Sequence, residues 1–579
     1  MRLPAFLFAL TTFATPILAE DFFAPQVSPE AMNAFAARDA GTPTKAADWM
    51  VAAANPLAVE AGAKVLRAGG TAADAMVAVQ AVLGLVEPQS SGLGGGAFLV
   101  WYDAKTGKVT TLDGREAAPL NVKPKHFLDK DGDPLGFFDA VVGGLSVGVP
   151  ATPALMEEAH KRWGTADWSG LFENATKLAA DGFPVSPRLA ASIEWDAERL
   201  ARFPATAAYF LNEDGRAKAA GSLLTNPSYA ATLRALAENG SDVFYAGPLA
   251  EEIVATVQNA EGNPGLLDMA DLALYRIKER AAVCAPYRGY DVCGMGPPSS
   301  GGLTVAQILG LLAPFDLAKL GPDNPESWRL IGDASRLAFA DRGRYMADSD
   351  FVAVPVEGLI DGLYLGTRAN LLATTKALVD VTPGEPTWDH GYADDESLEL
   401  PSTSHISIVD SYGNALSMTT TVENIFGSRL MAGGFILNNE LTDFSFRTHK
   451  DGRPIANAIA PGKRPRSSMS PTIVLKDGKP VLVIGSPGGS RIIGYVAKTI
   501  IAHIDWGMDI QAAISLPHLS NRFGTYEIDP AAIQFKAPLE AMGFETNVRP
   551  LTSGLHGIAV REGLQGGADP RREGIALGE

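Results

Sequence analysis

The stretch Leu400–Asn424, LPSTSHISIVDSYGNALSMTTTVEN, decides how this chain is read. From His405 to Asp410 apolar and polar residues alternate, Ser411-Tyr412-Gly413-Asn414 supplies turn residues, and Ala415 to Val422 returns. That pattern predicts a β-hairpin. Three hydroxyl residues, Ser402, Thr403 and Ser404, stand against His405 at its mouth. The combination suggests nucleophilic catalysis, yet no general base is placed beside it, and hydroxyls before a strand are common in ordinary turns. A threonine gains a base without any distant partner if the chain is cut between Ser402 and Thr403. The new α-amine of Thr403, with an unperturbed pKa of roughly 7.7 to 8.0, suits proton transfer near neutrality. The residues alone leave both readings open.

The surroundings set this hairpin in a layered protein. Upstream, the polar passage from Thr382 to Glu399, with Pro383, Gly384, Asp394, Asp395 and Glu396, reads as an exposed connector that could present the bond. Downstream, Pro471–Leu475 and Val481–Ile484 flank Asp477-Gly478, a strong hairpin signal. Ser486-Pro487-Gly488-Gly489-Ser490 then leads into an apolar helix from Ile492 to Ile504. Near the start, Asn55 caps a helix with Pro56 in its first turn, ended by Gly69-Gly70. Thr71 to Asp74 opens a second helix through Val86, which stops before Pro88 and is too short to span a bilayer. Ala151 to Leu372 is mostly helical, with an amphipathic stretch from Trp328 to Ala347. Helices, strands, strands and helices predict sheets covered on both sides.

Composition narrows the partners. The 579 residues are 46% apolar and 20% charged, enough for a large core, and carry a formal charge of −18 with a pI near 5.0. Such a balance argues against nucleic acid or an anionic membrane surface as partner. No HExxH or CxxC occurs and the eight histidines are scattered, so no metal is expected. The N-terminus has Arg2 before the apolar run Leu3–Phe13 and a small residue, Ala19, before Glu20-Asp21. It reads as a signal peptide over residues 1–19, hence an exported, periplasmic protein. The two cysteines, Cys284 and Cys293, flank a hairpin-like turn; a disulfide and two reduced core thiols both fit, and export favours the bond.

Two familiar motifs fail on context. Gly92-Leu93-Gly94-Gly95-Gly96 follows a helix and precedes a strand, the reverse of a dinucleotide fingerprint, so these glycines are expected to permit close backbone packing. Gly144-Leu145-Ser146-Val147-Gly148 matches GxSxG, but Pro150 and Pro153 delay the helix that a nucleophile elbow needs at once after its serine.

Several longer motifs, in order, resemble the γ-glutamyltransferase family. They are Thr403–Asp410 with Gly413-Asn414-Ala415, Leu437–Ser445, Lys463–Pro471 and Gly485–Arg491. Upstream, Gly92–Gly96, Asp113–Glu116 and Pro297–Gly302 match as well. The resemblance implies an α/β (α+β) N-terminal nucleophile hydrolase: a four-layer αββα sandwich of two stacked, mainly antiparallel sheets covered by helices. It implies one precursor that cuts itself between Ser402 and Thr403 into a large subunit, 20–402, and a small subunit, 403–579, which remain together as a heterodimer. Thr403 would be both the processing residue and the catalytic nucleophile. Thr421 would bond its amine, and the backbone N–H groups of Gly488 and Gly489 would form an oxyanion hole. Arg115, Ser467 and Ser468 would hold the α-carboxylate of a γ-glutamyl donor; Glu423, Glu440 and Asp443 would hold its ammonium. Water or an amine would accept the acyl group, with no cofactor.

Taken singly, each of these residues also has a bland reading as an ion pair, a turn or a strand-entry hydroxyl. Two departures from the family stand out. Glu423 replaces an Asn found in many members, and the stretch between Ser445 and Lys463, a lid over the glutamyl pocket in familiar bacterial forms, is shorter here and lacks a tyrosine, so it is not expected to close in the same way. Rival readings are a glutaryl-amide (cephalosporin-type) acylase, which needs no ammonium site, a non-catalytic periplasmic peptide-binding protein, and a serine hydrolase using Ser146.

Overall fold

A computed structural model describes residues 22–387, 391–395, 397, 399, 400 and 402–579. The expected signal peptide, 1–19, and Glu396 of the connector lie outside the described residues. Two sheets, each of seven strands among the described residues, dominate the structure, and every pairing within them is antiparallel. In the first, Ser404–Val409 lies centrally between Met50–Ala53 and Ala415–Thr421, which in turn pairs with Gly96–Asp103. In the second, Lys479–Gly485 lies between Thr472–Lys476 and His556–Arg561.

Period-two alternation explains the stacking. Ile406, Ile408, Leu416 and Met418 point to one side, into a core shared with the helices Pro56–Arg67 and Ala72–Val86. Each such side chain contributes about 1.5–3 kcal/mol on full burial. Val409 and Ala415 point to the other side and meet Ile473, Val483 and Ile558 of the second sheet. The far face of that sheet, with Val474, Leu482 and Ile484, packs on Gly301–Leu312, Pro325–Tyr345 and Ile492–Ile504. The layers therefore run helix, sheet, sheet, helix, the αββα sandwich that the family resemblance implied. The alternation from His405 to Asp410 does not mark a half-exposed strand, because all of Ser404–Val409 is buried between the helices and the second sheet.

Local signals place the ends. Asn55 accepts from the Leu57 N–H with Pro56 in the first turn, and Thr71 with Asp74 forms a reciprocal capping box. Asp477 and Gly478 take φ of +51° and +74°, joining Thr472–Lys476 to Lys479–Gly485. Gly95 sits where a Cβ would lie 1.9 Å from the Thr421 carbonyl oxygen, so this glycine permits the close backbone approach expected of it. Cys284 and Cys293 face each other across adjacent strands and are joined by a disulfide.

Candidate active site

Thr403 immediately precedes the central strand and shares the inter-sheet face of His405 and Ser407, two and four residues on. The cross-strand register pairs Ser404 with Thr420, which sets Thr403 beside Thr421. Their hydroxyls lie 3.1 Å apart, and the Thr421 oxygen also accepts from the Glu423 N–H at 2.9 Å. Thr403 has φ of +98°, a conformation that costs a β-branched residue about 1–3 kcal/mol. Strain is thus stored on the Thr403 side of the Ser402–Thr403 bond. The bond is held from three directions. Gly488 N–H donates to the Ser402 carbonyl oxygen at 3.3 Å, the Ser402 hydroxyl donates to the Gln89 carbonyl at 2.9 Å, and Arg572 donates to the Thr403 carbonyl at 3.2 Å. Gly489, also expected here, sits under the Glu399 and Leu400 carbonyls, where a Cβ would come within 2.9 Å of both.

Across the pocket, Arg115 is buried and donates to Glu440, Asp443 and the carbonyls of Pro465 and Arg466. Glu116 adds a third carboxylate 3.9 Å away. Glu423 takes a hydrogen bond from Asn439 and faces the charges of Asp443 and Glu440. Among the described residues, the Arg115 guanidinium thus faces four buried acids. Burial, and after it mutual repulsion, pushes Glu423 well above the usual carboxylate range. Burial does the same to Glu116 and Asp443, against the pull of Arg115. Among the described residues, no N–H or hydroxyl group donates to one oxygen each of Glu440 and Asp443 or to either oxygen of Glu116. The cluster has room, electrically, for a second cation.

Ser467 and Ser468 form the remaining wall. Ser467 is anchored through its carbonyl, which accepts from the Ser300 hydroxyl at 2.6 Å, and its own hydroxyl accepts from Met469 N–H at 3.1 Å. Ser468 donates to Glu399 and accepts from Arg342 at 2.7 Å. The end of the connector is therefore not exposed, as its composition suggested. Ala393 and Glu399 are buried; Asp395 pairs with Arg466 at 2.9 Å, and Glu399 pairs with Arg342. Burial opposes ionisation of Glu399, but Arg342 and Arg466 outweigh it and hold its carboxyl below the usual range. With Glu399 and Leu400 lining it, the pocket between Thr403, Arg115, Asp443 and Ser468 keeps a volume of only about 20 Å³. That is little more than one water needs.

The other candidates fall away from this centre. Ser146 is buried and donates to the Val141 carbonyl at 2.6 Å in a short 3-10 turn, so it forms no nucleophile elbow. His405 is buried as well. Its ring lies between the sheets, bonded to Thr419 at 2.9 Å and Ser407 at 3.0 Å, and burial, with the nearby His556, pushes its pKa well down. It is structural. The segment after Ser445 forms a small hairpin, His449–Lys450 with Arg453–Pro454, and Ile455 pairs with Ala393 of the connector. Glu116 stood in a matching motif, but its place as a fourth acid was not read; Arg342 with Glu399, and Arg572, which reaches Thr403 from 169 residues away, lacked any readable signal in sequence.

The chain matches the Gamma-glutamyltranspeptidase family model over residues 58–579. It is 38% identical over 547 residues to the glutathione hydrolase proenzyme of Bacillus subtilis (strain 168), covering 92% of this chain and 91% of that protein. It is 36% identical over 550 residues to the glutathione hydrolase proenzyme of Escherichia coli (strain K12), covering 91% of each. Among solved structures, a cephalosporin acylase from Bacillus halodurans superposes with a TM-score of 0.82 at 26% identity, over 93% of this chain and 97% of that one. The chain belongs to the gamma-glutamyltranspeptidase family.

Proposed function

We propose that this chain is an exported precursor that cuts itself after Ser402 and then acts as a γ-glutamyl hydrolase and transferase with Thr403 as nucleophile. The observation that carries the substrate class is the excess of buried acid around Arg115. Glu116, Glu423, Glu440 and Asp443 face one guanidinium, and a γ-glutamyl group brings the ammonium they lack. A glutaryl group brings none. The likeness to the cephalosporin acylase therefore supports the shared sandwich rather than its substrate.

The geometry around the bond supports this reading of self-cleavage. The Thr403 hydroxyl, hydrogen-bonded to Thr421, attacks the Ser402 carbonyl carbon. Negative charge then builds on the carbonyl oxygen that Gly488 N–H already faces. The C–N bond breaks, the Thr403 nitrogen takes a proton and leaves as the free amine, and Ser402 is held as an ester on the Thr403 oxygen. Water hydrolyses the ester, giving 20–402 and 403–579 as two chains of one heterodimer. In the second role the Thr403 amine takes the proton of its own hydroxyl as that oxygen attacks the donor amide. The leaving amine receives the proton, and the acyl-enzyme passes its γ-glutamyl group to water, an amino acid or a peptide. In this reading Arg115, Ser467 and Ser468 orient the donor carboxylate, and Gly488 with Gly489 stabilises the oxyanion.

A denaturing gel with intact masses tests the first part: two chains, the smaller starting at Thr403, and one uncut chain for Thr403→Ala. Paired anilides test the second. Cleavage of γ-glutamyl anilide well above glutaryl anilide is expected; the opposite preference would establish the acylase reading instead.

A further inference from the structure

Arg342 and Arg466 are buried side by side, and their acidic partners, Glu399 and Asp395, both come from the connector that ends at Ser402. Arg342 is built in from below, with Nε donating to the Ser300 hydroxyl at 2.8 Å and one terminal nitrogen donating to Ser468 at 2.7 Å. The Glu399 carboxylate closes this set by bonding Arg342 and Ser468 together, with Arg466 3.8 Å away. Ser468 lines the pocket that holds Thr403. A carboxylate thus already sits beside the nucleophile, bound by a guanidinium and a hydroxyl, and it belongs to the chain itself.

Glu399 and Leu400 of the same tail narrow the Thr403 pocket. Cavities of about 290 and 570 Å³ flank the tail, both bounded by Asp394 and Ser397, and the larger also by Arg342 and Arg466. The Thr403 pocket, lined by Glu399 and Leu400, keeps about 20 Å³. Withdrawal of the tail would leave two buried guanidiniums without acids, an arrangement that strongly favours rebinding a carboxylate.

We propose that Arg342 and Ser468 form a carboxylate-binding site beside the nucleophile, that the uncut chain fills it with its own Glu399, and that the tail ending at Ser402 remains after cleavage as a tethered competitor of carboxylate-bearing substrates. The inference rests on the self-cleavage proposed above. Opening of the pocket is then an equilibrium between tail and substrate, not an automatic result of breaking the bond.

The test uses processed Glu399→Gln enzyme, whose own tail lacks the anchor, and a fluorescent peptide with the sequence of residues 391–402. Anisotropy should show the native peptide binding at least tenfold more tightly than the same peptide carrying Glu399→Gln, with displacement by free L-glutamate. On processed wild type, the native peptide should raise the apparent KM for γ-glutamyl anilide and the altered peptide should not. Equal binding of the two peptides, or binding of neither, overturns the carboxylate site. The gel separates this from the reading beneath it: a chain that stays whole removes self-cleavage and the releasable tail together, whereas a cut chain indifferent to Glu399 sinks the site alone.

Discussion

The N–H of Gly488 lies 3.3 Å from the carbonyl oxygen of Ser402, so a donor already faces the oxygen that would carry charge when the bond after Ser402 is attacked. Gly488 takes φ of +141°, and a Cβ there would come within 2.8 Å of the Tyr495 ring. Gly488→Ala keeps the N–H but must shift it. Outright loss of an oxyanion donor slows catalysis about 10²–10³-fold, and a displaced donor should slow self-cleavage by about tenfold or more. Timed denaturing gels of freshly made protein read this rate; processing at the wild-type rate would remove Gly488 from the oxyanion hole.

Thr421 is the next link. Its hydroxyl is 3.1 Å from that of Thr403 and also accepts from the Glu423 N–H. Thr421→Val keeps the shape and β-propensity of the strand but removes both bonds, leaving a buried N–H without an acceptor. Accumulation of uncut precursor and a fall in kcat with little change in KM are expected, and Thr421→Ser should restore both. A Val variant that processes normally would reduce Thr421 to packing.

The fold and the site were legible to different extents because they rest on interactions of different range. Asn55-Pro56, the Thr71–Asp74 box and Asp477-Gly478 act within a few residues, and their elements begin or turn where those residues stand. The hairpin from Ser404 to Thr421 was also readable, but not its burial on both faces, since Ser407 and Ser417 look polar until their bonds to the second sheet are seen, and Thr419 until its bond to His405 on the next strand is seen. The acidic connector read as solvent-facing for the same reason. Asp395 and Glu399 are paired with Arg466 and Arg342, and nothing in local composition distinguishes an acid bound to a distant arginine from one in water. Arg572 at Thr403 belongs to the same class.

Glu423 gives the site a distinct acid profile. Burial and the charges of Asp443 and Glu440 raise its pKa well above the carboxylate norm, so its ionised form is lost early as pH falls. The acid limb of kcat/KM for γ-glutamyl anilide should lie above the ordinary carboxylate range, because that parameter reports free-enzyme groups. Glu423→Gln removes the titrating group and a like charge, so the limb should move to lower pH. Loss of a charged hydrogen bond of about 1.5–3 kcal/mol should also raise KM roughly 10- to 100-fold. Residual activity on glutaryl anilide, which has no ammonium, should not fall. A limb unmoved by Glu423→Gln would assign it to other groups.

Buried histidines should add an acid-labile contribution to the stability of the protein. His556 lies between the sheets, and burial pulls its pKa down to about 3, from an unfolded value near 6.5. Between those values the unfolded chain binds a proton that the folded one refuses, so stability is fully present above about 6.5 and is lost as pH falls toward 3. His405 and His518, also buried with pKa values well below normal, act in the same direction. In Thr403→Ala, which keeps one chain, the histidine contribution to stability against denaturant should therefore fall from about pH 6.5 to pH 4, opposed by buried acids such as Glu423 and Asp443, which take up a proton more readily in the folded state. His556→Asn in that background should flatten the slope by up to about 1.4 kcal/mol per pH unit, the most that one proton can contribute. Its absolute stability can fall as well, but the slope is the readout that packing alone does not change. An unaltered slope would mean that His556 is protonated in the folded state and that its site is wetter than its burial implies.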